Sequence, residues 1–334
     1  MRERIWIKTL IAFLLPAVAL GCGPAGPPKE IAFSHILNEQ SEWHVGAVRW
    51  KKLVEERLGD ALSVRLVTNA SLSNNNQRTE LEMVQAGTLG GSWESSILLS
   101  IIDARWTVWS MPWLFDSYEE AEKICESSLG RDMLASLEEK GLVGLAYGFN
   151  GFRRLTNSRR AVVGVDDMKQ LKIRVPSLQM YISLFQKWGA DPSQMNFGDL
   201  VVALREGTMD GQENPLHVIH ATGLYDLQHY LTLWEYSFDP LIFCLSKRVW
   251  DRLDAKTQTV LREAAQEAAQ VQRDTVVQQE ENHLQFLKEH GMQVAVLSPA
   301  AIQQFKELSQ PVYAEFRETI GGDILVPFVD AARP

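Results

Sequence analysis

Apolar residues in the N-terminal part of the chain recur at the spacing of one helix face. They follow one another at intervals of four, three, four and four residues, and they are Trp43, Ala47, Trp50, Val54 and Leu58. This period predicts an amphipathic helix that buries a single stripe of side chains. Ser41 is suited to cap the start of this helix, and Gly59 is suited to end it.

Other apolar runs are short and predict strands. Residues 31–37, 62–66, 141–149 and 171–175 have this character, while helical patterns cover 78–86 and 177–188 and a polar loop covers 69–76. Strands separated by helices indicate βαβ units. We therefore predict an α/β fold with a mostly parallel sheet.

One helical pattern is much longer than the others. Residues 255–290 contain neither Gly nor Pro and are rich in Ala, Gln and Glu, with Asp254 in front and Gly291 behind. At 1.5 Å per residue, one uninterrupted helix would be about 54 Å long. We expect it to run across two domains; two helices that break near residue 274 are the alternative.

The first residues of the chain have the pattern of an export signal. Three basic residues precede an uncharged, mostly apolar run over 10–20, which is too short to span a bilayer. A small residue then precedes Cys22 and a flexible Gly/Pro segment, as in bacterial lipoprotein signals. We predict a signal peptide over 1–21, lipidation of Cys22 and a tether over 22–30. An ordinary signal peptide with an incidental cysteine is the alternative.

Composition narrows the class of protein. The chain has 334 residues, which favours two domains, and its net charge of −9 argues against a nucleic-acid partner. A local arginine cluster could still bind an anion.

Cys125 and Cys244 lie far apart in apolar contexts, which predicts buried free thiols. No later stretch reaches 18 apolar residues, so we expect membrane association only through the N-terminal lipid.

The usual motifs of catalysis and cofactor binding are missing. The one Gly-x-Gly-x-x-Gly match, at 21–26, follows no strand, and the sequence has no P-loop, His-Glu-x-x-His, Gly-x-Ser-x-Gly or Cys-x-x-Cys. His217 and His220 have a spacing compatible with a metal pair, but surface or core histidines are commoner and we predict no metal and no cofactor. Glu94 and Glu213 could form an acid/base pair, which leaves a secreted hydrolase or lyase as an alternative.

Four segments together resemble a known family. Residues 151–160 read Gly-Phe-Arg-Arg-Leu-Thr-Asn-Ser-Arg-Arg, 166–176 read Asp-Asp-Met-Lys-Gln-Leu-Lys-Ile-Arg-Val-Pro, 209–215 read Met-Asp-Gly-Gln-Glu-Asn-Pro, and 111–115 read Met-Pro-Trp-Leu-Phe. In combination they resemble the DctP-type solute-binding subunits of TRAP transporters, the tripartite ATP-independent periplasmic carriers. The resemblance runs from about residue 31 to the C-terminus.

The resemblance implies a two-domain α/β fold of the type II-like periplasmic binding proteins, with a solute cleft between the domains. We assign 31–150 with about 240–279 to domain I, and 151–239 with about 280–334 to domain II. Helix 255–290 then spans both domains. Solute is expected to close the cleft by a hinge motion.

Arg174 is the first candidate for solute binding. It follows Ile173 at the end of a predicted strand, where ligands gather in open α/β sheets, and a guanidinium can hold a carboxylate through two hydrogen bonds. The resemblance implies this anchoring role for Arg174 and ligand contacts for Arg153, Asn214 and Phe197. Arg154 should point away from the cleft as a solvated charge, because neighbouring strand residues face opposite ways.

Weaker candidates complete the expected site. Gln212 could orient Asn214 or line the hinge. For each of the others a core or surface position is an equally good interpretation, and they are Trp93, Glu94, His35, Asn76 and Tyr236. Hydroxyl-binding side chains among them would favour polyhydroxylated acids.

The resemblance implies an extracytoplasmic receptor, in the periplasm, for a small organic acid with a carboxylate. Its expected partners are that solute and the small and large integral membrane subunits of the transporter, with no nucleic acid. A sensory binding protein for a signalling partner would use the same cleft, so the sequence does not separate it from a transport receptor.

Overall fold

The computed structural model describes residues 26–332. Its strands are β1 (Glu30–Ser34), β2 (Ser63–Val67), β3 (Gly91–Ser95), β4 (Leu142–Phe152), β5 (Arg154–Asn157), β6 (Lys172–Val175), β7 (Asp191–Gln194), β8 (Gly211–Asn214), β9 (Tyr230–Leu233), β10 (Phe238–Ser246) and β11 (Gln293–Val296). Its α-helices are α1 (Glu42–Leu58), α2 (Gln77–Ala86), α3 (Ser96–Leu99), α4 (Tyr118–Glu126), α5 (Ser128–Ser136), α6 (Gln179–Lys187), α7 (Phe197–Arg205), α8 (Leu216–Ala221), α9 (Lys247–Trp250), α10 (Ala255–Glu289), α11 (Pro299–Ile320) and α12 (Gly322–Ala332).

The strands form two mixed sheets. One has five strands in the order β2-β1-β3-β10-β4, and the other has six in the order β11-β9-β5-β8-β6-β7. The prediction of a mostly parallel sheet is confirmed for both, since a single strand in each runs against the others: β10 lies antiparallel between β3 and β4, and β5 lies antiparallel between β8 and β9. No helix crosses over between β4 and β5, so this part of the chain departs from the βαβ pattern.

The chain crosses between the sheets at two adjacent places, and a third time along α10, which leads from β10 to β11. β4 of the five-stranded sheet passes into β5 of the six-stranded sheet at Arg153, and the chain returns between β9 and β10. The two adjacent crossings are hydrogen-bonded, since the Arg153 amide donates to the Ser237 carbonyl at 3.0 Å. This interleaved connection is the two-domain architecture expected of a binding protein with a cleft. The residue boundaries assigned to the domains stay a prediction.

Helix α10 joins the hydrophobic cores of the two halves. It is one helix of 35 residues, about 52 Å long, so the alternative of two broken helices is wrong. The Asp254 side chain accepts from the Thr257 amide at 2.9 Å, as a helix cap does. Near its start Ala264 and Ala268 pack in the core that contains Trp50, and near its end Leu287 packs in a separate core below the six-stranded sheet.

Several local predictions are confirmed, and two are wrong: the capping role of Ser41 and the end of the first strand. Helix α1 buries the expected stripe and ends at Gly59, whose φ is 54°. Ser41 precedes α1, but its hydroxyl donates to the Asn38 carbonyl at 2.7 Å and does not cap the helix. The first strand ends at Ser34, earlier than expected, and leaves 35–37 as a connection. Cys125 and Cys244 are free and buried.

The N-terminal predictions lie largely outside the described residues. These are the signal peptide over 1–21, the lipidated Cys22 and the first part of the tether over 22–30. Within residues 26–332, no helix combines the length and the apolar character that a membrane crossing requires.

Candidate functional site

A small cavity of about 30 Å³ lies where the two sheets face each other, and it opens into a wider groove of about 660 Å³. Both sheets contribute the ends of strands, in keeping with the general position of ligands in open α/β folds. The residues that line the cavity are Ile36, Leu37, Trp43, Gln77, Ser95, Ile97, Leu98, Asn150, Arg153, Arg174, Pro176, Phe197, Asn214, Val218 and Asp239.

Arg174 lines this cavity with its charge unpaired. Its Nε and Nη2 donate to the Met195 carbonyl at 3.0 and 2.7 Å, and it forms no ion pair with any residue from 26 to 332. Burial lowers the pKa of Arg174 to about 10, which still leaves it charged at neutral pH. The Phe197 ring, at the first turn of α7, lies with its centroid 5.9 Å from the Arg174 Cζ. A buried cation beside an aromatic face suits an anion with a carbon skeleton.

Arg153 also lines the cavity, but its charge is already balanced. Its Nη2 donates to Glu213 Oε1 at 2.9 Å, its Nε pairs with Glu213 Oε2, and its Nη1 lies 3.3 Å from Asp239 Oδ2. Burial opposes this charge, yet Glu213 and Asp239 raise the pKa of Arg153 well above its ordinary value. The arrangement fixes the guanidinium in place at the crossing between the sheets.

Arg154 points away from the cavity, as the alternation of strand residues predicts, but it is not a solvated charge. Only 5% of it is exposed. Its Nη2 lies 3.1 Å from Glu280 of α10 and 3.0 Å from Glu235. The expectation fails because the outward side of the strand meets a carboxylate of α10 and one of the connection between β9 and β10 in place of water.

Asn214, at the end of β8, lines the cavity as expected. Its Oδ1 accepts from Arg153 Nη2 at 3.2 Å, and its Nδ2 donates to Gln212 Oε1. Gln212 itself is fully buried and does not line the cavity. Tyr236 is also behind the wall, where its hydroxyl donates to Glu213 Oε2 at 2.6 Å. Gln212 and Tyr236 therefore hold other side chains in position and do not face the cavity.

Three expected residues belong to the core of the five-stranded half, which corrects their placement. Trp93 packs edge-on against Phe243 with ring centroids 4.9 Å apart. Glu94 accepts from the Ser92 hydroxyl at 2.6 Å, and burial together with Glu80 raises its pKa well above the ordinary value. His35 contacts His44 at 3.1 Å, and burial and His44 lower its pKa to about 3.

These residues are misplaced in the sequence interpretation because the side chains that reach the cavity lie one or two positions further along the chain. β3 runs to Ser95, and it is Ser95, one residue past Glu94, that reaches the cavity. Similarly, β1 ends at Ser34, and Ile36 and Leu37 reach the cavity past His35. Asn76 caps α2 by accepting from the Thr79 amide at 3.0 Å and lies in the outer groove.

Asp239 is the main residue that the sequence interpretation missed. Its carboxylate accepts from the hydroxyls of Ser95 and Ser96 and from Asn150 Nδ2, each at 2.8 Å. A charged residue inside the otherwise apolar run over 238–245 was the available signal. Such a charge is seldom buried without partners, and here the partners lie at the cavity.

The two histidines whose spacing is compatible with a metal pair contact other groups. His217 lies 3.1 Å from Glu42 Oε2 and 2.8 Å from the Asn150 carbonyl, while His220 lies 2.8 Å from His283. His283 in turn contacts Glu42 Oε1 at 2.5 Å. No cluster of three or more His, Cys, Asp or Glu suited to a metal ion occurs between residues 26 and 332. Glu42 thus links α1, α8 and α10.

Comparison with known proteins agrees with this architecture. The family described as DctP, bacterial extracellular solute-binding protein family 7, matches residues 33–319. The crystal structure of the sugar acid binding protein DctPAm from Advenella mimigardefordensis, in complex with galactonate, is 30% identical and has a TM-score of 0.89. The alignment covers 92% of this chain and 99% of that one.

Two further relatives bind solutes of other kinds. A TRAP periplasmic solute binding protein from Ralstonia eutropha, with bound (S)-2-acetolactate, is 29% identical with a TM-score of 0.87 over 91% of this chain and 99% of its own. The C4-dicarboxylate-binding periplasmic protein DctP of Rhodobacter capsulatus is 27% identical over 97% of each chain. The chain therefore belongs to the DctP family of bacterial extracellular solute-binding proteins, the solute receptors of TRAP transporters.

Proposed function

We propose that this receptor binds an organic acid through Arg174, whose guanidinium takes the solute carboxylate. The observation that carries the proposal is the buried, unpaired charge of Arg174 in the cavity between the sheets. A solute carboxylate would supply the counter-charge that this guanidinium lacks, through two parallel hydrogen bonds. Phe197 and Asn214 would complete the contact, the first against the carbon skeleton and the second through its amide.

Arg153 has a different part in this proposal. Because Glu213 and Asp239 already balance its charge, it would hold Asn214 and the cavity wall in place and add at most a secondary contact to the solute. The two arginines expected to act together therefore divide into one anchor and one positioning residue.

The proposal is tested by titration calorimetry with small organic acids. Arg174→Ala should lower the affinity by about 30-fold or more, because removing one partner of a buried charge pair costs about 2–5 kcal/mol. Arg174→Lys keeps the positive charge but not the two parallel hydrogen bonds of a guanidinium. Its affinity for the solute should therefore lie between those of wild type and Arg174→Ala. Arg159→Ala is the control, since that arginine is mostly exposed and pairs with Asp210. Unchanged affinity in Arg174→Ala would overturn the proposal.

We also propose that the chain binds its solute without altering it and passes it to the small and large integral membrane subunits. Supporting this, Glu94 lies in the core away from the cavity and Glu213 is engaged by Arg153 and Tyr236. Neither carboxylate is then free for acid/base work. No observation favours the sensory alternative. Turnover of a bound acid that Glu94→Gln abolishes would contradict the proposal.

We propose lastly that Cys22 carries a lipid that holds the receptor at a membrane. The support is the sequence pattern of an apolar run, a small residue, a cysteine and a Gly/Pro segment. Cys22→Ser should then move the protein from the membrane fraction to the extracytoplasmic soluble fraction. An unchanged distribution would leave the ordinary signal peptide as the correct interpretation.

A further inference from the structure

Helix α8 packs in one half of the molecule and contacts the other half through a single histidine ring. Its residues Leu216 and Ile219 belong to the core below the six-stranded sheet. His217 is directed to the other half, where its Nε2 lies 2.8 Å from the Asn150 carbonyl oxygen of β4 and its Nδ1 lies 3.1 Å from Glu42 Oε2 of α1. The ring is therefore buried between the two halves, with 1% of the residue exposed.

The two neighbours of this ring favour its charged form. Each ring nitrogen of His217 faces an oxygen that can only accept, so both nitrogens are matched only when each carries a proton. A neutral imidazole would direct its lone pair at either the Asn150 carbonyl or the Glu42 carboxylate. Glu42 also supplies the negative charge that a buried imidazolium requires.

The other charged groups near His217 are engaged elsewhere. On α10, Glu280 pairs with an arginine of β5, and His283 contacts Glu42 Oε1 at 2.5 Å. On α8 itself, His220 lies 2.8 Å from His283. Burial alone would lower the pKa of His217, but Glu42 raises it above its ordinary value. Glu42 is thus the partner that decides the charge of this ring.

These contacts adjoin the solute cavity on both sides. Val218, the residue after His217, lines the cavity, and so does Asn150, whose Oδ1 accepts from Trp43 Nε1 at 3.1 Å. Asn214, which we propose as a solute contact, stands three residues before His217 in the sequence. A change in how α8 contacts the other half would therefore move cavity residues of both halves.

We propose that His217 is a positioning residue for solute binding: as an imidazolium between Glu42 and Asn150 it holds the cavity in its binding form, so that the protein takes up a proton when it binds its organic acid. When the two sides of the cleft separate, water reaches the ring and the pairing with Glu42 weakens. Solute and proton then favour each other's binding. This rests on the proposed binding of an organic acid between the sheets, but not on the choice of Arg174 as its anchor.

Titration calorimetry at several pH values tests the coupling. The probe is whichever of galactonate, (S)-2-acetolactate and succinate binds to wild type most tightly. Its affinity should fall about fivefold from about pH 6.5 to about pH 8.5, as follows if closure raises the proton affinity of His217 about tenfold from its ordinary value. At about pH 7 the heat of binding should vary with the ionisation heat of the buffer, as for uptake of about half a proton. Equal affinities at both pH values would overturn the proposal.

Two variants separate a charged His217 from a merely structural one. His217→Gln keeps a donor for the Asn150 carbonyl but has no charge. It should bind the probe about fivefold more weakly than wild type at about pH 6.5, and within about twofold of wild type at about pH 8.5. Glu42→Gln keeps the imidazole but removes its counter-charge, and should flatten the pH profile in the same way. A loss of affinity in His217→Gln that is equal at both pH values would contradict the proposal.

His229→Gln is the matched control, because His229 is exposed and does not line the cavity, and it should keep the pH profile of wild type. Glu80, whose pKa burial raises to about 7, titrates in the same range in every variant and cancels in the comparison. If His217→Gln fails to fold, Glu42→Gln and the buffer dependence of wild type still decide.

The outcomes also separate this inference from the proposed function. If Arg174→Ala binds the probe as tightly as wild type while the pH profile persists, the anchor is wrong and the role of His217 stands. If Arg174→Ala loses binding but wild type shows no proton uptake, the anchor stands and the role of His217 is wrong.

Discussion

Arg153 donates to both carboxylate oxygens of Glu213, so the pair is neutral as a unit before any solute arrives. Both side chains are almost fully buried. Arg174, on β6 and equally buried, has no such carboxylate among the residues described. Two arginines of one cavity thus have opposite electrostatic states, and this difference makes separate predictions for stability and for binding.

Removing Arg153 should destabilise the fold more than it weakens solute binding. Arg153→Ala leaves Glu213 and Asp239 buried without their cation, and breaking a buried pair in this way typically costs about 3–5 kcal/mol of unfolding free energy. Arg174→Ala breaks no ion pair and should cost much less. Urea unfolding of both variants measures the difference. Equal losses of stability would contradict the division of roles between them.

Stability should depend on pH through Glu42. Burial opposes its charge, but His217 and His283 hold its pKa well below the usual range; Glu42 in turn raises the pKa of His217, although burial alone would lower it. The lowered carboxylate pKa stabilises the fold above about pH 4.5, and the raised imidazole pKa stabilises it below about pH 6.5, with loss as pH rises further. The contribution of the pair is therefore largest between these values.

The measurement compares wild type with Glu42→Gln. Their difference in unfolding free energy should be larger at about pH 5.5 than at about pH 9, because His217 loses its proton in between. The protonation of buried His35 occurs in both proteins and cancels in the difference. Glu119→Gln serves as the control, since Glu119 forms only an exposed pair with Lys123. A difference that does not change with pH would show that Glu42 contributes no charge pairing.

Gly198 should be required for tight solute binding. It stands in the first turn of α7, and a Cβ at this position would lie 2.6 Å from the Asn75 carbonyl oxygen in the loop after β2. Both residues line one mouth of the groove between the sheets. Gly198→Ala should therefore hinder this approach and lower the affinity about tenfold, while the helix itself gains up to about 1 kcal/mol.

Gly164→Ala is the matched control, because a Cβ there meets no atom within 4 Å. Calorimetry gives the affinity and thermal unfolding gives the stability of each variant. If Gly198→Ala binds solute like wild type, the contact with Asn75 is not part of the binding state.

Much of the fold could be predicted because its signals are local. The apolar stripe from Trp43 to Leu58 and the uninterrupted pattern before Gly291 each depend on one helix and its packing face. The antiparallel placement of β10 and β5 could not be read in this way, since strand order depends on pairing between residues that are distant in sequence. The β4–β10 ladder joins residues about 90 positions apart.

In the candidate site too, residues with a local sequence signal were predictable, whereas those whose position depends on distant elements were not. Arg174 and Asn214 lie at the ends of strands whose termination is marked in the sequence by Pro176 and Pro215, so their positions at the cavity were predictable. Trp93, Glu94 and His35 were misplaced because a shift of one or two residues at a strand end changes which side chain reaches the cavity. The partners of Arg154 and Asp239 come from other elements, which no single segment reveals.

The two halves of this receptor should unfold together, because α10 belongs to the hydrophobic cores of both. This one helix contributes alanines to the core around Trp50, and it contributes Leu287 to the core under the other sheet. Unfolding one half would pull a structural element out of its neighbour, so neither half is an autonomous folding unit. The hinge motion expected from the resemblance would then have to leave α10 folded, so that cooperative unfolding and reversible opening would be separate motions of the same chain.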